Sequence, residues 1–164
     1  MEVHDLVVIG SGPAGDTAAL YAQRAGIQTL VLDKAAFGGQ VTLTSKIDNY
    51  PGAINIDGYS LMESMRSQAQ GFGAMYENRE VLEVRHSDDR KLFRLTTATE
   101  DIASKAVIAC LGSKYALAGF KGERDFTGRG VSYCATCDGM FYRNKQVFVC
   151  GGGNSAAQEA LHLS

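Results

Sequence analysis

Residues 5–33 read DLVVIGSGPAGDTAALYAQRAGIQTLVLD: an apolar run, a glycine turn, an alanine-rich stretch and a second apolar run. Short buried strands on either side of a helix predict a βαβ unit with parallel strands. The helix is expected over Pro13–Ala25, with Gly26 at its C-terminal cap. Between strand and helix stands Gly10-Ser11-Gly12-Pro13-Ala14-Gly15, a G-x-G-x-x-G turn. Gly10 allows the tight turn, Gly12 lets a diphosphate approach the backbone, and Gly15 lets the helix pack close to the strand. The helix N-terminus then faces the phosphate charge. Asp33 ends the second strand, at roughly the 20-residue spacing of an acid that accepts a hydrogen bond from a ribose hydroxyl. Glycines alone would also suit an unliganded strand–helix turn. Strand, helix and acid together point to a dinucleotide.

The same punctuation returns near the end. KQVFVC precedes Gly151-Gly152-Gly153-Asn154-Ser155-Ala156, the G-x-G-x-x-A variant, and AAQEALHLS then reads as a helix. The residues that would read its ribose fall after Ser164, so a glycine hairpin or helix cap stays open as the simpler reading.

Between the two turns lies Cys134-Ala135-Thr136-Cys137. Zinc would need two more ligands, and only Cys150 and His162 are close in sequence. Cys150 ends an apolar run, where a cysteine packs as a small core residue, and His162 reads as helix surface. No metal site is expected. A C-x-x-C pair that can close a small disulfide suits thiol exchange, one thiol attacking and its neighbour resolving. Asp138 follows directly: it can move a proton to or from a thiolate, or it can satisfy a helix dipole.

With 164 residues the chain holds one domain, or one and part of another. A helix is expected over Tyr59–Phe72, with Leu61, Met62, Met65 and Ala69 on one face. MYENREVLEVRHS and KLFRLTTATE read as strands joined by a turn at Asp88-Asp89-Arg90, and KAVIAC as a strand completing a β-meander. Residues 113–130 are glycine-rich and read as an interdomain linker. A net charge of −2 gives no reason to expect nucleic acid or an acidic membrane surface. No apolar run approaches membrane-spanning length and no signal segment is visible, so a cytoplasmic location is expected. Four cysteines in that compartment do not suggest a structural disulfide framework. No serine sits in a nucleophile elbow, and His4, His86 and His162 have ordinary surface contexts, which argues against a hydrolase.

GSGPAGDTAALYAQRA, GGQVTLTSKIDNYPG and GRGVSYCATCDGMFYRNKQVFVCGGGNSAAQEALHLS resemble, in the same order, the signature blocks of the low-molecular-weight thioredoxin reductase family. The resemblance covers essentially the whole chain. It implies an α/β architecture: a Rossmann-like FAD-binding domain with a β-meander over residues 1–112, the linker, and over 131–164 the first strand and helix of a second Rossmann-like domain for NADPH. Ser11 to Ala14 would meet the FAD diphosphate. Asp33, Lys34, Gly38, Gly39 and Gln40 would follow the adenosine and flavin, Asn49 would lie by the isoalloxazine ring, and Gly112 would close over the flavin nucleotide. Gly151, Gly153, Asn154, Ser155 and Ala156 would hold the nicotinamide nucleotide. Cys137 would face the flavin, Cys134 would attack the protein substrate, and Asp138 would be the acid–base group.

The implied activity is a thioredoxin-disulfide reductase serving cell redox homeostasis. Its partner would be thioredoxin or a thioredoxin-like protein, the full-length protein a homodimer, and the redox pair would reach both sites by an interdomain rotation. The family's chain runs further, so this sequence is expected to be an N-terminal fragment with weak FAD binding and little turnover alone. A donor other than NADPH, such as ferredoxin, and a non-catalytic FAD-binding module are the rival readings. Three departures stand out: Leu111 replaces a small polar residue, Lys121 a common proline, and Gln158 a frequent glutamate.

Overall fold

Strand β1 (Val3–Ile9) buries Leu6, Val7 and Val8, so it needs cover on both faces. In the computed structural model, which describes residues 3–34, 38–88 and 91–164, it finds that cover within the first of two units, Met1–Lys46 with Ile56–Gly112. The other elements of this unit are α1 (Pro13–Arg24), β2 (Thr29–Asp33), α2 (Gly58–Gly71), β3 (Met75–Asn78), β4 (Val81–Ser87), β5 (Leu92–Thr97) and β6 (Asp101–Ala109). They form a six-stranded sheet in the order β3-β2-β1-β6-β5-β4.

The sheet is mixed because β6 serves two ladders. Its first residues pair antiparallel with β5, from Asp101 opposite Thr96 to Ser104 opposite Phe93. Its later residues run parallel to β1, ending with Ala109 opposite Ile9. Alternation along the parallel strands divides the core. Leu6, Val8 and Val31 face Ala19 of α1 and Ala69 of α2, whose small side chains let the helices approach. Val7, Leu30 and Leu32 face the other way and are covered by Leu95 and Ile102 of the meander. Each such fully buried Val or Leu contributes about 1.5–3 kcal/mol.

Two expectations change. MYENREVLEVRHS is not one strand: it breaks at Arg79 and Glu80. β3 pairs parallel with β2 at one edge, whereas β4 pairs antiparallel with β5 at the opposite edge, and one straight strand cannot reach both. Arg79 at the break forms ion pairs with Glu77 and Glu100. Of the turn expected at 88–90, Asp89 and Arg90 lie outside the described residues. Helix α2 starts one residue early, where the Asp57 side chain accepts a hydrogen bond from the Ser60 amide at 2.9 Å.

The second unit is Ile47–Asn55 with Ser113–Ser164. It contains α3 (Ala135–Asp138), a 3-10 turn at Gly139–Tyr142, and α4 (Asn154–Leu163). Its first part is organised around Glu123, which is 3% exposed. This carboxylate accepts from the Ala118 and Gly119 amides at 2.8 and 2.7 Å and from the Tyr133 hydroxyl at 2.9 Å. Burial works against the charge, but these donors outweigh it and hold the carboxyl below its ordinary range. The strand expected at KQVFVC is not formed: Lys145–Cys150 joins no ladder, and Phe148 is 83% exposed. A strand exists only through its neighbours' hydrogen bonds, and none pairs here among the described residues. Cys150 is correspondingly exposed rather than a core residue. No helix among the described residues is long and apolar enough to cross a membrane.

Candidate functional site

The C-terminal ends of β1, β2 and β6 meet at one edge of the sheet, and chain order reverses there, with β2 and β3 on one side of β1 and β6 on the other. Open α/β sheets take ligands at such a reversal. The Gly10 amide donates to the Leu32 carbonyl and the Cys110 amide to the Ile9 carbonyl, each at 2.8 Å, which ties the three strand ends together.

The three motif glycines turn out to have different causes. Gly10 has φ of 102°, and a Cβ there would run into the Cys110 carbonyl. A Cβ on Gly15 would run into the Gly10 carbonyl. The chain's own packing demands both. Gly12 has an ordinary φ of −79°, and its Cβ would meet nothing closer than the Gly38 carbonyl at 3.9 Å. Among the described residues nothing requires glycine there, whereas a diphosphate drawn against the backbone would.

Two further glycines singled out in the sequence lie against Gly12. Gly38 and Gly39 fold back against it, a Cβ on Gly39 standing 3.5 Å from the Gly12 Cα. Ser11 donates from its amide at 2.6 Å and its hydroxyl at 2.9 Å to Asp33 Oδ2, so it orients the carboxylate expected to meet a ribose. Helix α1 opens with Pro13 and has no side-chain cap, which leaves the amides of Ala14 and Gly15 for an anion. Gln40 lies exposed on the 3-10 turn Gly39–Leu43. Gly112 is exposed two residues beyond Cys110. Lys34 is exposed and pairs with Glu80 at 3.6 Å, a contact of little energetic weight. Ala35–Phe37 lie outside the described residues. Asn49 is exposed in the segment Ile47–Asn55, which belongs to the second unit.

One residue of this cradle escaped the sequence reading. Asp16, in the first turn of α1, is 1% exposed. Its Oδ1 accepts from the Tyr76 hydroxyl at 2.9 Å, while Oδ2 has no hydrogen-bond partner among the described residues. Burial pushes its carboxyl up to about 6, although the Tyr76 bond and the Arg66 charge pull the other way. Arg66 stands 4.5 Å over the Tyr76 ring. The sequence signal was an acid at a position between two buried small residues, Gly15 and Ala19, on the helix face turned to the sheet.

In the second unit Cys134 and Cys137 are joined as a disulfide, with Cα atoms 5.3 Å apart. Cys134 caps α3, its Sγ accepting from the Cys137 amide at 3.2 Å. The Ala135 amide donates to Glu159 of α4, so the helix after the second glycine turn holds the start of the helix that carries the pair. Asp138 does not bond the amides of α3: its Oδ2 accepts from the Ser132 hydroxyl at 2.6 Å. Tyr133 stacks on Tyr115 with ring centroids 3.6 Å apart, which holds the segment entering the pair. In the second glycine turn Gly151 has φ of 137°, and a Cβ there would press on the Ala156 side chain at 3.2 Å. Gly152 and Gly153 face open space, and α4 starts at Asn154 and Ser155 without a side-chain cap. Among the described residues no three His, Cys, Asp or Glu side chains gather as a metal site would require.

Comparison with known proteins agrees with this arrangement. The chain is 45% identical to the thioredoxin reductase of Treponema pallidum over 98% of its own length and 52% of that protein's. It is 40% identical to the thioredoxin reductase of Listeria monocytogenes, over 99% of the chain and 50% of that relative. The crystal structure of thioredoxin reductase from Streptococcus pyogenes superposes with a TM-score of 0.91 at 40% identity, covering 98% of this chain and 52% of that one. The chain thus spans about half the length of the curated relatives it matches. The family model for pyridine nucleotide-disulphide oxidoreductases matches residues 4–164, and the chain belongs to that family.

Proposed function

We propose that the chain serves an NADPH- and FAD-dependent thioredoxin-disulfide reductase, contributing the flavin cradle, the redox pair and the start of the nicotinamide cradle. The observation that carries this reading is the Cys134–Cys137 disulfide at the head of α3, in a chain with two glycine cradles. The residues fit the cofactors. Gly12 leaves the backbone open where a diphosphate would approach, and Ser11 presets Asp33 for a ribose. Gly151 to Ala156 repeat the open turn and uncapped helix. FAD, when bound, supplies the two-electron relay between reduced nicotinamide and the disulfide.

The protein's own part is positioning. Ser11 to Gly15, Asp33, Lys34, Gly38 to Gln40, Asn49 and Gly112 hold the flavin nucleotide in this reading, and Gly151 to Ala156 the nicotinamide nucleotide. Cys137 is the thiol nearer the flavin. Cys134 attacks the disulfide of thioredoxin, and Asp138 moves the proton. Residues 1–112 form the flavin domain, 113–130 its link, and 131–164 the domain start that rotates with the pair. A homodimer in the cytoplasm completes the proposal.

Cys134→Ser in the intact protein tests it. The variant is expected to keep the visible absorbance of bound flavin and to lose reduction of thioredoxin by NADPH. Thioredoxin reduction at an undiminished rate would overturn the assignment of Cys134.

A further inference from the structure

Asp138 is held by a residue that neither the glycine motifs nor the cysteine pair singles out. The Ser132 hydroxyl makes three contacts: it lies 2.6 Å from Asp138 Oδ2 and 3.3 Å from the Cys134 carbonyl, and it accepts from the Cys134 amide at 3.1 Å. A hydroxyl has one proton to donate. The shorter, charge-assisted bond to the carboxylate takes it, and a lone pair of the same oxygen takes the Cys134 amide. Ser132 therefore bridges the Asp138 carboxylate to the peptide of the attacking cysteine. Asp138 itself comes four residues after Cys134 and makes the helical bond from its amide to the Cys134 carbonyl at 3.0 Å. Asp138 is thus tied back to Cys134 twice, by its own backbone amide and by its side chain through Ser132.

We infer that Ser132 is a positioning residue for thiol–disulfide exchange, holding Asp138 with Oδ2 occupied and Oδ1 as the oxygen that exchanges a proton. The inference rests on the assignment of Asp138 in the preceding subsection. In the outward half-reaction the Cys134 thiol gives its proton to Asp138 Oδ1. The thiolate attacks one sulfur of the substrate disulfide, whose S–S bond breaks as the Cys134–substrate bond forms. The departing substrate sulfur takes the proton back from Asp138. Cys137 then attacks Cys134, the intramolecular disulfide re-forms, and the second substrate sulfur leaves as a thiol carrying the Cys137 proton. Two protein thiols are oxidised and one substrate disulfide is reduced. Without Ser132 the carboxylate loses its fixed orientation and the proton transfers slow.

The test reduces the full chain with dithiothreitol, removes the reductant, and adds oxidised glutathione as the disulfide probe. Re-formation of the Cys134–Cys137 bridge is followed by alkylation and mass measurement, which needs neither flavin nor nicotinamide. Ser132→Ala is expected to slow re-oxidation roughly tenfold, Ser132→Thr to restore it to within about twofold, and Ser132→Ala to add nothing once Asp138→Asn is present. Circular dichroism of each variant checks that the fold is kept. Additive effects of Ser132→Ala and Asp138→Asn, or an unslowed Ser132→Ala beside a slow Asp138→Asn, overturn the role of Ser132 alone. An unslowed Asp138→Asn instead overturns the acid–base assignment on which it rests.

Discussion

The two glycine turns begin alike and end differently. In both, a glycine with positive φ leads into a helix without a side-chain cap: Gly10 at 102° before α1, Gly151 at 137° before α4. The first turn leaves a strand that is buried on both faces, and its Gly10 and Gly15 are locked against the Cys110 and Gly10 carbonyls. The second leaves a stretch, Val147–Val149, that pairs with nothing among the described residues and exposes all three side chains. Turn and helix are short-range structures and form from their own residues. The strand is a long-range structure and waits for ladder partners.

The largest expected effect that would break this comparison is on Gly15. Gly15→Ala should destabilise the first unit by about 3 kcal/mol, because the new methyl overlaps backbone that cannot move without separating α1 from β1. Gly152→Ala should change stability by less than about 0.5 kcal/mol, since its Cβ enters open space. Urea titrations of both variants check the pair, and equal losses would show that the two turns are supported alike.

A smaller effect on stability but a clear one on binding is expected for Gly12→Ala. The backbone conformation and the space around Gly12 tolerate a methyl, so the melting temperature should stay within a few degrees. Affinity for FAD should fall at least tenfold, because the methyl would stand where the proposed function brings the diphosphate to the backbone. Equilibrium dialysis against FAD measures this separately from turnover.

Stability of the first unit should also depend on pH through Asp16. The Asp16 carboxyl, pushed from 3.8 up to about 6 by burial, binds its proton more tightly in the folded chain than in the unfolded one. The folded state is therefore favoured most below the unfolded value, and that advantage is lost as pH rises through about 6. Asp16→Asn removes the charge while keeping an acceptor for Tyr76, and should stabilise the protein by about 2 kcal/mol at pH 7 and not at pH 4. Denaturation at the two pH values decides it. A gain of equal size at both would assign the effect to something other than the charge.

Much of the site was legible because it is local. The βαβ unit, both glycine turns, the Cys134–Cys137 pair and the apolar face of α2 follow from spacing within a few residues. The division of MYENREVLEVRHS was not legible, because nothing in that run says that its halves belong to opposite edges of a sheet. Nor was Tyr76 as the partner of Asp16, or the Glu123 carboxylate as the centre that binds Ala118, Gly119 and Tyr133. These pairings join residues that only the folded chain brings within reach.

By itself, then, the sequence determined where the backbone must turn tightly, which segments carry an apolar face, and which two thiols are close enough along the chain to bridge. Those are matters of φ, period and tether length. Tertiary structure decided which glycines the packing demands and which it leaves room around, that Asp16 is buried with one oxygen unpartnered among the described residues, and that Ser132 ties Asp138 to Cys134. Burial and hydrogen-bond geometry belong to positions in space, and no run of letters carries them until the chain has folded.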